Sequence, residues 1–145
     1  MADPIKGVGE MNRVTRSGGV VVACVWDHSG RQSPVSPLWD GARLLDPHVG
    51  DESALPGARA GSLGEIFGEA GLDDVEESEL SMSVTHQSFD DWWEPFTLGV
   101  GPAGRYVQQL DPQNREELRT TVLDLIGQEP FTLHSVAWAA RGLAG

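Results

Sequence analysis

The sequence predicts an α/β fold, and three patterns along the chain indicate it. An amphipathic stretch near the N-terminus leads into an unbroken apolar run, and helical and alternating patterns follow one another after that run. The run Val20–Trp26 is short and rich in β-branched residues, which is typical of a strand. With 145 residues and 39% hydrophobic composition, the chain has the size and core content of one globular domain.

The first element is a predicted helix that ends near Arg16. Asp3 and Pro4 supply an N-cap and a first helical residue, and apolar side chains recur at helical spacing after them. Ser17-Gly18-Gly19 then ends the helix. Because Val20–Trp26 contains no polar residue, it predicts a central strand covered on both faces.

Residues 27–61 have no clear periodicity and contain four prolines. They predict a long loop with one short helix around residues 38–45, and loops of this length are usually functional or flexible. Ser62 and Glu65 have the spacing of a capping box, which predicts a helix closed by Gly71. Residues 75–84 alternate between apolar and polar side chains and predict a half-exposed strand.

The last third of the chain is predicted to form a helical insertion followed by a strand. Residues 88–98 predict a short capped helix broken by Pro95, and residues 105–110 predict another turn or two. Asp111-Pro112 predicts a helix that ends at Gly127, and residues 131–140 predict the last strand. The segments are therefore 1–61 (helix, buried strand and loop), 62–84 (helix and strand), 85–128 (helical insertion) and 129–145 (last strand).

The net charge of −12 is concentrated in one segment. Residues 62–95 contain no Lys or Arg and ten acids: Glu65, Glu69, Asp73, Asp74, Glu76, Glu77, Glu79, Asp90, Asp91 and Glu94. An acidic surface repels phosphate, so we expect no nucleic acid and no anionic membrane among the partners. The segment is either a solvated face or a site for a cation or a basic partner.

Other features exclude further classes of protein. No run approaches the roughly 20 apolar residues of a membrane span, and the N-terminal residues lack the pattern of a signal peptide, so we expect a cytoplasmic protein. The four histidines are scattered and no metal site is expected. The single cysteine, Cys24, lies within the predicted buried strand, where a thiol is a poor nucleophile.

A family resemblance rests on two adjoining motifs. Glu10-Met11-Asn12-Arg13-Val14 with the turn Ser17-Gly18-Gly19, and the strand running into Trp26-Asp27, resemble the second half of a class I S-adenosylmethionine-dependent methyltransferase. Ser17 stands where that family usually has proline. The resemblance implies the C-terminal half of a Rossmann-like sheet (strands 5, 6 and 7), with a helical insertion before the last strand and that strand antiparallel beside Val20–Trp26.

The same resemblance implies transfer of a methyl group from S-adenosylmethionine to a small-molecule acceptor. The family builds its donor site from elements that come before the helix at which this sequence starts. We therefore assign no cofactor-binding residue here and expect an enzyme that is incomplete or inactive as this chain. The alternative is a non-catalytic, degenerate subunit that pairs with itself, as a homodimer, or with a complementing chain.

The candidate acceptor-binding residues form two groups. Trp26, Asp27 and His28 follow the buried strand, where open α/β sheets place ligands. His28 is the candidate general base, although Asp27 could simply cap the loop beside an exposed histidine. In the family, this loop faces the acceptor.

Trp92 and Trp93 form the second group, close in sequence to Phe96 and Tyr106. Such aromatics either fill a core or line an apolar pocket. Core packing is the favoured interpretation. Because neighbouring helical residues should not both face one core, and because insertions at this position in the resembling family often form a lid over the acceptor, Trp92 or Trp93 is also a candidate to line an acceptor pocket. Residues 99–104 match G-x-G-x-x-G, but Pro102 removes an amide donor and a helical pattern precedes them, so we interpret them as a connector between helices.

Overall fold

The α/β class is confirmed by a computed structural model that describes residues 3–127 and 129–145. Within these residues the chain forms six helices and one three-stranded sheet. The helices are α1 (Pro4–Val14), α2 (Ser36–Leu45), α3 (Ser62–Glu69), α4 (Phe89–Thr97), α5 (Gly101–Gln109) and α6 (Pro112–Ile126), and the strands are β1 (Val20–Trp26), β2 (Asp73–His86) and β3 (Phe131–Leu143). No helix in the described part of the chain has the length and apolar content needed to cross a bilayer.

The sheet has the strand order β1-β3-β2, so the last strand lies between the other two. β3 runs antiparallel to β1, with Val20 opposite Leu143 and Trp26 opposite Ala137. This confirms the prediction that the last strand lies antiparallel beside Val20–Trp26. Cross-strand contacts tie β3 to β2 on its other side, where Arg141 Nε donates to Glu76 Oε2 at 2.9 Å.

The prediction that β1 is covered on both faces is wrong for the described chain. Among the described residues, β1 pairs with β3 alone and occupies one end of the sheet. Val21 is 6% exposed, whereas Val20 and Val22 are 55% and 62% exposed. Cys24 is exposed on the same side as Val20 and Val22, because side chains alternate along a strand. We call Val20, Val22 and Cys24 the open face of β1.

Three predicted N-caps are confirmed. Asp3 Oδ1 accepts from Lys6 N at 2.9 Å, Ser88 Oγ accepts from Asp91 N at 3.1 Å, and Asp111 Oδ1 accepts from Asn114 N at 2.9 Å. Each bond satisfies a backbone donor that the first helical turn leaves without a partner. Local sequence signals therefore determine where α1, α4 and α6 begin. Pro95, predicted to break α4, lies inside that helix.

The capping box predicted for α3 does not form. The N-cap is Gly61 and it makes no side-chain cap, while Ser62 Oγ accepts from Gly57 N at 3.1 Å. The cap comes instead from β2, where the Glu77 carboxylate accepts from Gly61 N at 2.5 Å and from Gly64 N at 2.7 Å. A carboxylate at this end of a helix also interacts favourably with the helix dipole.

We expect the Glu77→Gln substitution to destabilise the protein by about 1 kcal/mol, since a neutral amide keeps one acceptor and loses the charge. The midpoint of urea unfolding followed by circular dichroism measures this loss. Glu79→Gln is the matched control, because Glu79 is an exposed acid on the same strand. Equal midpoints for the two variants would show that Glu77 does not cap α3.

The chain divides into two compact units. The first contains residues up to Ser33, Ser53–Ser81 and Ser135–Gly145. In its core, α1 and α3 pack on the sheet through Val8, Val21, Leu63, Phe67, Leu72 and Ala140. The second contains Pro34–Glu52 and Met82–His134. Its core joins α2, α4, α5 and α6 around Leu38, Trp39, Phe89, Val107, Leu118 and Val122.

Candidate functional site

The loop that follows β1 is built around the carboxylate of Asp27. Asp27 is 4% exposed. Its Oδ1 accepts from Gly30 N at 2.9 Å, and its Oδ2 accepts from Gln32 Nε2 at 3.2 Å. A buried carboxylate needs such partners, because an unsatisfied charge in a core is costly. We call residues 27–32 the Asp27 loop.

Backbone hydrogen bonds attach the Asp27 loop to the first unit. Asp27 N donates to Val136 O at 2.8 Å, Val136 N donates to Gln32 O at 2.7 Å, and Ser29 N donates to Ala58 O at 3.0 Å. The loop therefore leaves the sheet and returns to it at β3. An anchored loop holds its side chains in place more firmly than a free one.

His28 lies within the Asp27 loop and is partly buried. Its backbone N donates to Trp26 O at 2.8 Å, and its backbone O accepts from Arg31 N at 3.2 Å. Arg31 has a φ of 58°, which is uncommon for a residue other than glycine and is found at turns and functional sites. The tight turn thus places an imidazole and an exposed guanidinium beside the end of β1.

The three residues of the first predicted group differ in burial and in hydrogen bonding. They are Trp26, Asp27 and His28. Trp26 is half-buried at the end of β1, opposite Ala137. Asp27 uses both carboxylate oxygens to hold the loop. His28 is therefore the member of the three whose ring can combine partial exposure with a role in proton transfer.

Trp92 and Trp93 lie together in the core of the second unit, each 5% exposed. The Trp92 ring centroid is 5.8 Å from that of Phe89 and 4.9 Å from that of Phe96. The Trp93 ring stacks on Phe89 at 5.8 Å. The expectation that neighbouring helical residues could not share one core is wrong. Helices on several sides of α4 give both indoles apolar neighbours.

Tyr106 is partly buried in the second unit, with its ring centroid 5.3 Å from that of Trp39. Burial raises the pKa of its hydroxyl, and the charge of Asp46 raises that pKa further. A raised pKa in the folded state means that ionisation of the hydroxyl opposes folding.

We expect the free energy of unfolding to fall as the pH rises above about 10, the ordinary pKa of tyrosine, because the unfolded chain then loses this proton more readily. The stabilising contribution is fully present below that pH and is lost as the pH passes the raised pKa. Urea unfolding at several alkaline pH values measures the slope. Tyr106→Phe should have a shallower slope, and an identical slope would contradict the assignment.

The prediction that the glycine-rich match at residues 99–104 connects two helices is confirmed only for Gly99 and Val100, because residues 101–104 form the first turn of α5. The match follows a helix, not a strand. Gly99 has a φ of 75°, and a Cβ on Gly104 would lie 2.9 Å from the carbonyl carbon of Gly99. These glycines allow a tight turn and a close backbone approach, which accounts for their presence.

The described residues do not fit S-adenosylmethionine. A nucleotide-type donor site needs free backbone amides at a strand-to-helix turn and an acid for the ribose hydroxyls. The acid that follows β1 is Asp27, whose oxygens both hold the loop. The glycine-rich segment follows a helix and contains Pro102. Within residues 3–127 and 129–145, no group of three or more His, Cys, Asp or Glu side chains could hold a metal ion.

Sequence reasoning missed the residues that support the Asp27 loop. Gly30, Gln32 and Ala58 each complete a hydrogen bond that holds it. An aspartate followed three residues later by glycine is a recognised turn signal and could have identified Gly30. Ala58 lies 29 residues from Ser29 and has no local signal.

Comparison with known proteins assigns the chain to no family: no family model matches it, and no curated protein sequence matches it.

Proposed function

We propose that this chain forms the acceptor-binding part of an S-adenosylmethionine-dependent methyltransferase, with the Asp27 loop contacting a small-molecule acceptor. The observation that carries the proposal is the anchored loop at the carboxyl end of β1, with His28 and Arg31 on it. The resemblance of residues 10–27 to the second half of this family supplies the reaction class. The strand order, with the last strand antiparallel beside β1, agrees with the Rossmann-like half-sheet that the resemblance implies.

The chemistry of the loop suits an acceptor that must lose a proton. The His28 imidazole has a ring nitrogen that can accept a proton and can act as a general base toward a hydroxyl or an amine. The Arg31 guanidinium is a fixed positive charge and favours an acceptor that carries negative charge or gains it. Trp26, half-buried at the start of the loop, offers an aromatic edge for an acceptor ring.

Acceptor binding can be measured without the methyl donor. We would titrate the ¹⁵N-labelled chain with a panel of small phenols, amines and carboxylic acids and follow the amide signals of residues 27–32. At least one class should shift these signals, and His28→Ala should weaken that binding about tenfold, or about 1.4 kcal/mol. His48→Ala is the matched control, since His48 is an exposed histidine outside the loop. Binding that both variants retain in full would remove His28 from the site, and a panel without any effect would contradict the proposal.

A second candidate function is a non-catalytic subunit that pairs through the sheet. The observation that favours it is that β1 lies at the end of the sheet and contains no charged residue, while Val20 and Val22 on its open face are more than half exposed. Unpaired edge strands of this composition invite another strand. Light scattering on the purified chain tests it: a mass above that of one chain supports pairing, and a monomer at every concentration contradicts self-pairing.

A further inference from the structure

The two outer edges of the sheet differ in charge. In its first nine residues β2 contains five acids, Asp73, Asp74, Glu76, Glu77 and Glu79, whereas β1 contains no charged residue and no proline. Proteins protect exposed strand edges with charges, prolines or bulges. The β2 edge has this protection and the β1 edge does not, so the β1 edge is the one suited to strand pairing.

The hydrogen-bonding pattern shows which backbone groups of β1 face outward. Asp27 N donates to Val136 O, and Gly19 O accepts from Ala144 N. Along an antiparallel strand, every second residue makes its backbone hydrogen bonds to the same neighbouring strand. The odd-numbered residues of β1 therefore bond to β3, while Val20, Val22, Cys24 and Trp26 direct their N–H groups toward the open edge. A partner at this edge must be an extended strand that supplies backbone acceptors and donors at the same two-residue spacing.

We propose that β1 pairs with β1 of a second copy of this chain, antiparallel and about a twofold axis at Ala23, so that the two sheets become continuous. In this register Val22 lies opposite Cys24 of the second copy, and Val20 lies opposite Trp26. The backbone groups of Val20, Val22, Cys24 and Trp26 that point to the open edge then find hydrogen-bond partners in both copies. A twofold pairing is closed and ends at a dimer. The acidic edge of β2 opposes growth of a longer assembly through that edge.

Surface beside the edge enlarges the contact. A seven-residue strand spans about 23 Å and a sheet layer is about 10 Å thick, so the edge alone is smaller than the roughly 800 Å² per partner of a standard interface. On the helix-bearing face, an apolar cleft of about 290 Å³ adjoins Ala23 and Val25, and Pro4, Met11 and Leu55 also line it. The open face of β1 lies on the other side. A second copy that covered these apolar surfaces would bury area beyond that of the strand pair.

The net charge of −12 opposes association of two identical chains. Salt screens this repulsion but leaves apolar contact and backbone hydrogen bonds in place. Dimerisation should therefore strengthen between about 0.15 M and about 1 M NaCl. An assembly held by ion pairs would weaken over the same range.

The inference rests on the second candidate function and competes with the methyltransferase proposal, because the other half of a Rossmann-like sheet would continue from the same edge of β1. Sedimentation equilibrium of the full chain in both salts should give a monomer–dimer equilibrium that shifts toward dimer at high salt. Val22→Pro removes one outward N–H and none that bonds to β3, so it should weaken the dimer at least about tenfold while the circular dichroism spectrum is kept. If this variant fails to fold, disulfide cross-linking between the two copies tests the β1 pairing.

Val22→Cys places a thiol opposite Cys24 of the second copy, with Cα atoms about 5.5 Å apart, within the range that a disulfide spans. A mild thiol oxidant should convert this variant to a covalent dimer. Val14→Cys is the matched control, because Val14 is 66% exposed on α1 and Cys24 is retained. A monomer in both salts overturns the inference together with self-pairing. If the chain dimerises but Val22→Cys forms the disulfide-linked dimer no faster than Val14→Cys, the proposed β1 register is wrong. The two copies then pair through another surface.

Discussion

Replacing Trp92 by alanine should destabilise the protein by about 4 kcal/mol, the cost of removing a large buried aromatic side chain. Trp92 is 5% exposed, and its ring centroid lies 4.9 Å from that of Phe96 and 6.5 Å from that of Phe131. Its Nε1 also donates to Pro34 O at 3.2 Å. Since domains of this size are stable by about 5–15 kcal/mol, the variant should be close to unfolding at room temperature.

Urea unfolding followed by far-ultraviolet circular dichroism measures this loss without relying on tryptophan fluorescence. Trp92→Phe keeps most of the apolar contact and loses the indole hydrogen bond, so it should lose only about 1–2 kcal/mol. Leu98→Ala is a surface control, because Leu98 is 69% exposed. If Trp92→Ala unfolds at the urea concentration of the Leu98 variant, Trp92 is not a core residue and the interpretation as an acceptor pocket regains support.

Replacing Asp27 by alanine should cost about 3 kcal/mol, because it leaves two donors of the Asp27 loop without their charged acceptor. Those donors are Gly30 N and Gln32 Nε2. The loop carries His28, so we also expect weaker acceptor binding, although both Asp27 oxygens accept hydrogen bonds within the loop. Hydrogen exchange at the Gly30 amide reports the local effect, and urea unfolding reports the global one.

Asp27→Asn separates charge from hydrogen bonding in the same loop. Its amide oxygen still accepts from one donor, so about half of the loss should return. Asp124→Ala serves as the control for removal of an exposed acid on α6. Unchanged exchange at Gly30 in Asp27→Ala would mean that the carboxylate does not hold the loop and that His28 owes its position to other contacts.

The sequence predicted those elements whose signals are local. Asp3-Pro4 and Asp111-Pro112 combine an N-cap with a proline that suits the first helical turn, and both helices begin there. β1 has the predicted bounds because seven apolar residues between a glycine pair and Asp27 leave little choice. The prediction that Asp27 and His28 follow the strand depends on the same bounds, since the Asp27 loop begins where β1 ends.

Features that depend on distant residues were not predictable in this way. The cap of α3 comes from Glu77, 16 residues after the Gly61 amide that it binds, so the local capping-box pattern of Ser62 and Glu65 gave a wrong assignment. The coverage of β1 depends on which strands and helices lie beside it, and composition alone does not determine that. Trp92 and Trp93 share a core because α2, α5 and α6 pack around α4, which the spacing within α4 does not show.

Calorimetric titration of the purified chain with S-adenosylmethionine tests the central claim most directly, namely that these residues bind the acceptor and do not by themselves form the donor site. The account predicts no measurable heat of binding. A saturable isotherm with one donor molecule per chain and a micromolar dissociation constant would contradict it.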